Sequence, residues 1–376
     1  MQIDFHHAVT YVAARLAGFD HSDANIIAWS AQYVDDATEE GYIAFTNRGM
    51  YYHIASAHKM LDYRNLDELA NHRAWIPFHF LPGNAGLPVG AGDDIDFTQR
   101  VICRPNSFVA RDMIDECIQR KDEMPYSLHQ LGIAMHVYAD TWAHQGFSGI
   151  SHRLNRVSDL RDPENKPFRK MIRHINDYYS RWSRIKNRVM ESLGFDPEAS
   201  ATRLINDFLP LGHGAALSLP DKPYLVWRYR NGAGEEVLRD NPREFLEAAD
   251  AMCRAMQRYL GKDPLGLPEG DRLRIYEFLR NITESDPETR HRKWLDEIRN
   301  GAFSFGKVND LHYVENGDGS WKYAALGLEA GNDDETLFPY EPSFLDSHWK
   351  LFHDALQAHR LFLLHELLPR YGICAA

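Results

Sequence analysis

Residues 131 to 149 read LGIAMHVYADTWAHQGFSG, a helix that is apolar on nearly every side. Such a helix is stable in water only when other elements surround it. Its few polar residues are ordered, with His136, Asp140 and His144 following one another at steps of four. Four residues advance a helix by about 400°, so these side chains drift by only about 40° each and rise by about 6 Å. His129 lies on the same arc one heptad earlier. An unpaired carboxylate buried there would cost several kcal/mol, so Asp140 needs a cation or strong donors. A metal ion supplies that charge and takes neutral imidazoles beside a carboxylate. The competing reading is a hydrogen-bonded His–Asp–His cluster that ties helices together.

The cysteines (Cys103, Cys117, Cys253, Cys374) form no CxxC pair. Neither a disulfide framework nor a thiolate zinc site is therefore expected. Histidine is abundant at 19 residues, and imidazole with carboxylate suits zinc and its divalent neighbours. The net charge of −12 gives no long-range attraction to nucleic acid or an anionic membrane. Lys166 to Arg188 runs the other way, with eight Lys and Arg against Asp177. It reads as an amphipathic helix with a solvated basic face, or else as a surface for phosphate-bearing ligands. No apolar run is long enough to span a membrane. The N-terminus lacks the pattern of a secretory signal, so a cytoplasmic protein is expected.

Periodicity is helical almost throughout, which predicts a mainly α fold rather than βαβ alternation. Helices are expected from His6 to Leu16, from a Ser22 cap to Asp35-Asp36, from Met50 to Leu61 and from Phe108 to Arg120. The buried helix, capped by Ser127 and ended by Gly146, comes next, then the basic helix, stopping near Gly194. Further helices are expected over Pro242–Leu260, Asp271–Ile282, Pro287–Arg299 and Ser343–Leu368. Two small β-hairpins are expected, one in YLVWRYR–NGAG–EEVL and one in LHYV–ENGDG–SWKYAAL. The Pro/Gly-rich stretch 80–94 reads as an ordered loop or lid. One domain is expected, with residues 226–376 packed as an extension on a core of residues 1–225.

Other stretches could complete a site on the buried helix. HH at 6 and 7 opens the chain, and YVDDA puts Asp35 and Asp36 at the end of the second helix. SAHKMLDYRN and IPFHFLPGN bring His58 and His79. PLGHGAALSLPDKP places His213 between two glycines, with Asp221 following. For any one of these histidines alone, a place in the core or on the surface is the commoner outcome.

Taken together, an early His, an Asp ending the second helix, a His-Phe, LGxAxHxxxDxxxH and a later His with an acid resemble a known superfamily. It is that of the zinc-dependent phospholipases C and single-strand nucleases, and the wording looks closer still to a bacterial family of that general type. The resemblance covers residues 1 to about 225, and its sharpest element is HxxxD. It implies a mainly helical zinc-phospholipase-C-like domain that hydrolyses phosphoesters with two or three zinc ions, or another divalent metal. By that likeness His136 and Asp140 form the helix pair, with Asp140 bridging two metals. Asp35, or its neighbour Asp36, binds metal and orients the attacking water. His144, His213 and Asp221 serve the second metal and His6 the third, and either His79 or His58 completes the set. Two departures stand out: those enzymes begin with a Trp whose amino group binds metal, whereas this chain begins Met-Gln, and His144 follows Asp140 more closely than in the family.

The expected activity is thus that of a metal-dependent hydrolase of small phosphoesters or lipids, with nucleic acid less favoured. Arg104, in VICRPN, is a candidate for the substrate's phosphate oxygens. The alternative is a non-catalytic, metal-stabilised helical scaffold or binding protein.

Overall fold

The computed structural model describes residues 1–58, 68–166, 211–327 and 336–375. The chain opens with a π-helical turn, Asp4–Val9, that runs into α1 (Thr10–Ala17) and ends at Gly18 with φ 110°. Asp20, not Ser22, caps α2 (His21–Asp36), accepting from the Asp23 amide at 2.9 Å. α3 (Glu68–Phe78), a single turn α4 (Phe97–Arg100) and α5 (Phe108–Gln119, capped by Ser107) lead to α6 (Ser127–Ala143).

α6 is the expected apolar helix, and it occupies the centre. It contacts α2, α3 and α5, and also α7 (Asn241–Tyr259) and α11 (His348–Phe362). Its approach to α2 depends on Gly132: a β-carbon there would lie 2.4 Å from the Ile27 carbonyl oxygen and 2.5 Å from Ser30 Cβ. Only glycine permits this spacing. α8 (Glu269–Asn281), α9 (Pro287–Asn300) and a short α10 (Trp321–Leu326) lie between α7 and α11 in the chain. The later part of the chain packs directly on the earlier part, for example through Phe5 against Phe245, edge to face at 5.2 Å.

The architecture is mainly α with two small three-stranded sheets. The first hairpin lies where expected, as β4 (Val226–Arg230) and β5 (Glu236–Asp240), widened by β3 (Ser158–Arg161). The second expected hairpin is absent. Leu311–Val314 forms no strand, and Ser320 instead caps helix α10, accepting from the Tyr323 amide at 3.2 Å. Lys322, Ala324, Ala325 and Leu326 are good helix formers, and the cap outweighs the β-prone residues before it.

The other sheet arises where a helix was expected. Met50–His53 is strand β2, paired antiparallel with β1 (Gly41–Phe45), while β6 (Leu337–Phe338) lies parallel to β1. The reason is local: the Gly49 amide donates to Asn47 Oδ1 at 2.8 Å and Arg48 turns with φ 70°, closing a tight reversal that a helix cannot contain. Residues 54–58 are not helical either. The expected basic helix after Lys166 lies outside the described residues. Among the described residues no helix is long and apolar enough to cross a membrane.

Candidate metal centre

Four histidines on different elements turn one ring nitrogen outward to a main-chain carbonyl and the other inward. His136 Nδ1–H donates to the Ala31 carbonyl at 2.7 Å, and His79 Nε2–H donates to that of Ser56 at 3.1 Å. His144 Nδ1–H donates to the His79 carbonyl at 2.7 Å, and His213 Nδ1–H to that of Leu217 at 2.6 Å. In neutral imidazoles these bonds consume the only ring proton, so each inward nitrogen is a bare lone pair.

The inward atoms then face other acceptors. His136 Nε2 and His79 Nδ1 are 3.2 Å apart, and each lies 3.3–3.4 Å from Asp140 Oδ2. Asp35 Oδ1 lies 3.8–3.9 Å from both. On the other side His144 Nε2 is 3.1 Å from Asp221 Oδ1 and His213 Nε2 is 3.4 Å from Asp221 Oδ2. Lone pairs and carboxylates converging without a proton repel one another unless a cation sits among them. Zinc at about 2.0–2.1 Å from tetrahedral ligands spaces those ligands about 3.3 Å apart, which the first set approaches. Three groups could each hold an ion: His6, His136 and Asp140; Asp35, His79 and His136; His144, His213 and Asp221.

The first of these groups contains a cation of the protein's own. The Met1 α-ammonium, fully buried, lies 2.6 Å from Asp140 Oδ1 and 3.4 Å from Asp221 Oδ1. His6 Nε2 is 3.2 Å from Asp140 Oδ1, and neither ring nitrogen of His6 makes a hydrogen bond among the described residues. Its ring stacks on that of His136 at 3.8 Å. The π turn sends both His6 and His7 into the interior, a local winding common at functional sites. Arg290 of α9 fixes this segment from below. Its Nε donates to Asp4 Oδ2 at 2.6 Å, its Nη1 to the Glu284 carbonyl at 2.7 Å and its Nη2 to Gln2 Oε1.

Burial dominates the electrostatics. It drives His6 well below its ordinary pKa, lowers His79 and His213, and brings His136 to about 4. These rings are therefore uncharged at neutral pH, each keeping a single ring proton. Burial would raise Asp140 and Asp221, but the surrounding histidines and the Met1 ammonium hold both below the usual carboxylate range. Asp35 goes the other way, pushed well above 3.8 by burial and by Asp140, Asp36 and Asp221, against the pull of the ammonium. The ammonium is disfavoured by burial, yet Asp140, Asp221 and Asp35 together raise its pKa to about 10.

The structure thus brings His6, Asp35, His79, His136, Asp140, His144, His213 and Asp221 together and leaves three other candidates outside. Asp36 turns to the far side of α2, where Tyr313 Oη–H donates to it at 2.6 Å and Gln32 at 3.0 Å. His58 is buried edge-on to Trp75 and belongs to none of the three groups. Arg104 is exposed, its stem lying over Gly83, where a β-carbon would come within 2.7 Å of it. The fourth member of the arc on α6, His129, pairs instead with His348 at 3.1 Å. His144 sits just past the end of α6, so its close spacing to Asp140 places it with His213 and Asp221.

Some features of the centre had no signal in the side-chain pattern. The Met1 ammonium is one. Ser56 is another: its Oγ–H donates to the Val34 carbonyl at 2.6 Å while its own carbonyl takes the His79 ring, joining the end of α2 to that imidazole. Leu217 holds His213 from a left-handed conformation, φ 53° and ψ −134°, that costs a residue with a β-carbon about 1–3 kcal/mol. Gly212 makes room for Phe80, whose ring a β-carbon would meet at 2.2 Å and which stacks on His144 at 4.6 Å.

Over residues 1–367 the chain matches a protein family described as a family of unknown function (DUF6765), and it belongs to that family. No curated protein and no solved structure matches it significantly.

Proposed function

We propose that this member of a family of unknown function is a metal-dependent phosphoesterase holding two or three divalent ions, zinc best fitting the ligands. One observation carries the metal reading: His79 Nδ1, His136 Nε2 and Asp140 Oδ2 lie within 3.4 Å of one another with no hydrogen between them. The resemblance in ligand order to the zinc phospholipases C and nucleases supports the choice of reaction. Ions held there would supply positive charge against a phosphoryl group and acidify water.

The chain's own residues divide the remaining work. Asp35 has the most open side chain among the carboxylates, 28% exposed against 1% for Asp140 and 11% for Asp221, so substrate enters on its side. Its Oδ2, 4.0 Å from His6 Nε2, takes the proton of the attacking water. His144, His213 and Asp221 would hold a further ion, whose positive charge would stabilise a departing oxygen. Small phosphoesters and lipids fit a chain of net charge −12 better than nucleic acid does.

The test is elemental analysis of the purified protein beside nitrophenyl phosphodiester hydrolysis, for wild type and Asp140→Ala. The expected result is two or more divalent ions per chain and turnover, both lost in the variant. Full metal occupancy with silence on phosphodiesters, lipids and single-stranded nucleic acid would reject the hydrolase. A second reading, a non-catalytic scaffold, draws on the Met1 ammonium, which neutralises Asp140 at 2.6 Å without any metal. It expects no turnover, and a fold that survives chelation because that ammonium stays in place.

A further inference from the structure

Away from the metal centre, α3 and α11 enclose a cleft of about 850 Å³. Arg73 and Arg360 face it from the two helices, Tyr126 closes one end, and Leu361, Leu364 and His365 complete the wall. Among the described residues neither guanidinium makes an ion pair or a side-chain hydrogen bond. Asp354 also lines the cleft but is occupied, with Lys350 Nζ at 2.6 Å and Tyr51 Oη at 2.9 Å. Leu361 is 58% exposed at the mouth. Burial lowers the pKa of Arg360, Tyr52 and Glu40 oppose that, and Arg73 adds to it.

Arg73 is exposed and Arg360 half-buried, and the two like charges line one cleft, so an anion held between them would relieve their mutual repulsion. Guanidinium forks match the oxygens of a phosphoryl group, which can accept from both at once. The volume exceeds what bare phosphate fills and falls within the usual range for small organic ligands, about 300–1,000 Å³. We infer that this cleft binds a phosphate-monoester or phosphonate dianion bearing a small apolar group, the anion between Arg73 and Arg360 and the apolar group on Leu361 and Leu364. The site is separate from the metal centre and stands or falls independently of the proposed hydrolysis.

The probe is phenylphosphonate, titrated calorimetrically into the purified protein. The expected result is one site whose affinity falls about tenfold or more in Arg73→Gln and in Arg360→Gln, with melting temperatures little changed because neither side chain gives up a hydrogen bond or ion pair among the described residues. If a glutamine variant fails to fold, lysine at that position keeps the charge and loses the fork, and it must weaken binding too. Added zinc leaves the affinity unchanged; zinc-dependent affinity would place the ligand at the metal centre and overturn the assignment. So would the absence of binding, or equal affinity in the variants. Vesicles containing phosphatidic acid form a second arm: capture reversed by phenylphosphonate assigns the dianion to a lipid headgroup, and phenylphosphonate binding without capture assigns it to a free molecule.

Discussion

Adding one methyl group at Gly132 sets two known effects against each other. In a helix interior Ala is worth about 1 kcal/mol more than Gly. The new β-carbon, however, would stand 2.4 Å from the Ile27 carbonyl oxygen and 2.5 Å from Ser30 Cβ. Neither atom belongs to a flexible side chain, so α2 and α6 must separate, by about 1 Å to restore van der Waals contact. Forcing extra volume into a close-packed seam costs about 1–3 kcal/mol, and rigid neighbours favour the upper part of that range. The net effect of Gly132→Ala is then a loss of about 1–2 kcal/mol and a fall of about 1–3 °C in melting temperature. The same shift draws Asp35 on α2 away from His136 on α6, now 3.9 Å apart, so affinity for added zinc falls as well. Calorimetry with and without zinc reads both effects. Gly270→Ala is the control, because its β-carbon meets nothing within 4 Å and it lies in α8. It should be neutral or stabilising. A Gly132→Ala protein as stable as wild type, with unchanged zinc affinity, would refute the argument from close approach.

Other perturbations test other parts of the molecule. Replacing Arg290 with Met strands Asp4, which is 1% exposed, and should cost about 3–5 kcal/mol in denaturant unfolding, partly recovered by adding Asp4→Leu. Leu217→Gly should be more stable than Leu217→Ala, because both lose the side chain but only glycine relieves the left-handed backbone that holds His213. Burial lowers His129 to about 3 and His291 and His359 to about 4, so the native protein keeps them neutral where the unfolded chain protonates near 6.5. Their contribution is complete above pH 6.5 and is lost as pH falls toward 4, at about 4 kcal/mol per pH unit for the three. Circular dichroism of chelator-treated protein, with potentiometric proton uptake, checks both the slope and its sign.

What could be read from the chain and what could not divide along a physical line. α6 was legible because its apolar residues and its His–Asp arc share one helical period, and period is local information. The choice between Asp35 and Asp36 was not, since neighbours on a helix differ by about 100° and the decision rests on Tyr313, far along the chain. His58 and His79 could not be ranked for the same reason: the Ser56 carbonyl orients one ring, and no short motif encodes that. At Met50–His53 the helical reading lost to a reversal at Asn47–Gly49 whose turn chemistry was passed over. At Ser320 the opposite error arose, a cap being read as part of a strand.

His79 takes part in the centre twice, its ring pointing into the Asp35–Asp140 side while its carbonyl anchors the His144 ring on the other. Ordering either half therefore stiffens the peptide that the other half depends on. Ions taken up here would load as a cooperative pair, and a zinc titration would pass from empty to doubly filled chains with few singly filled ones between.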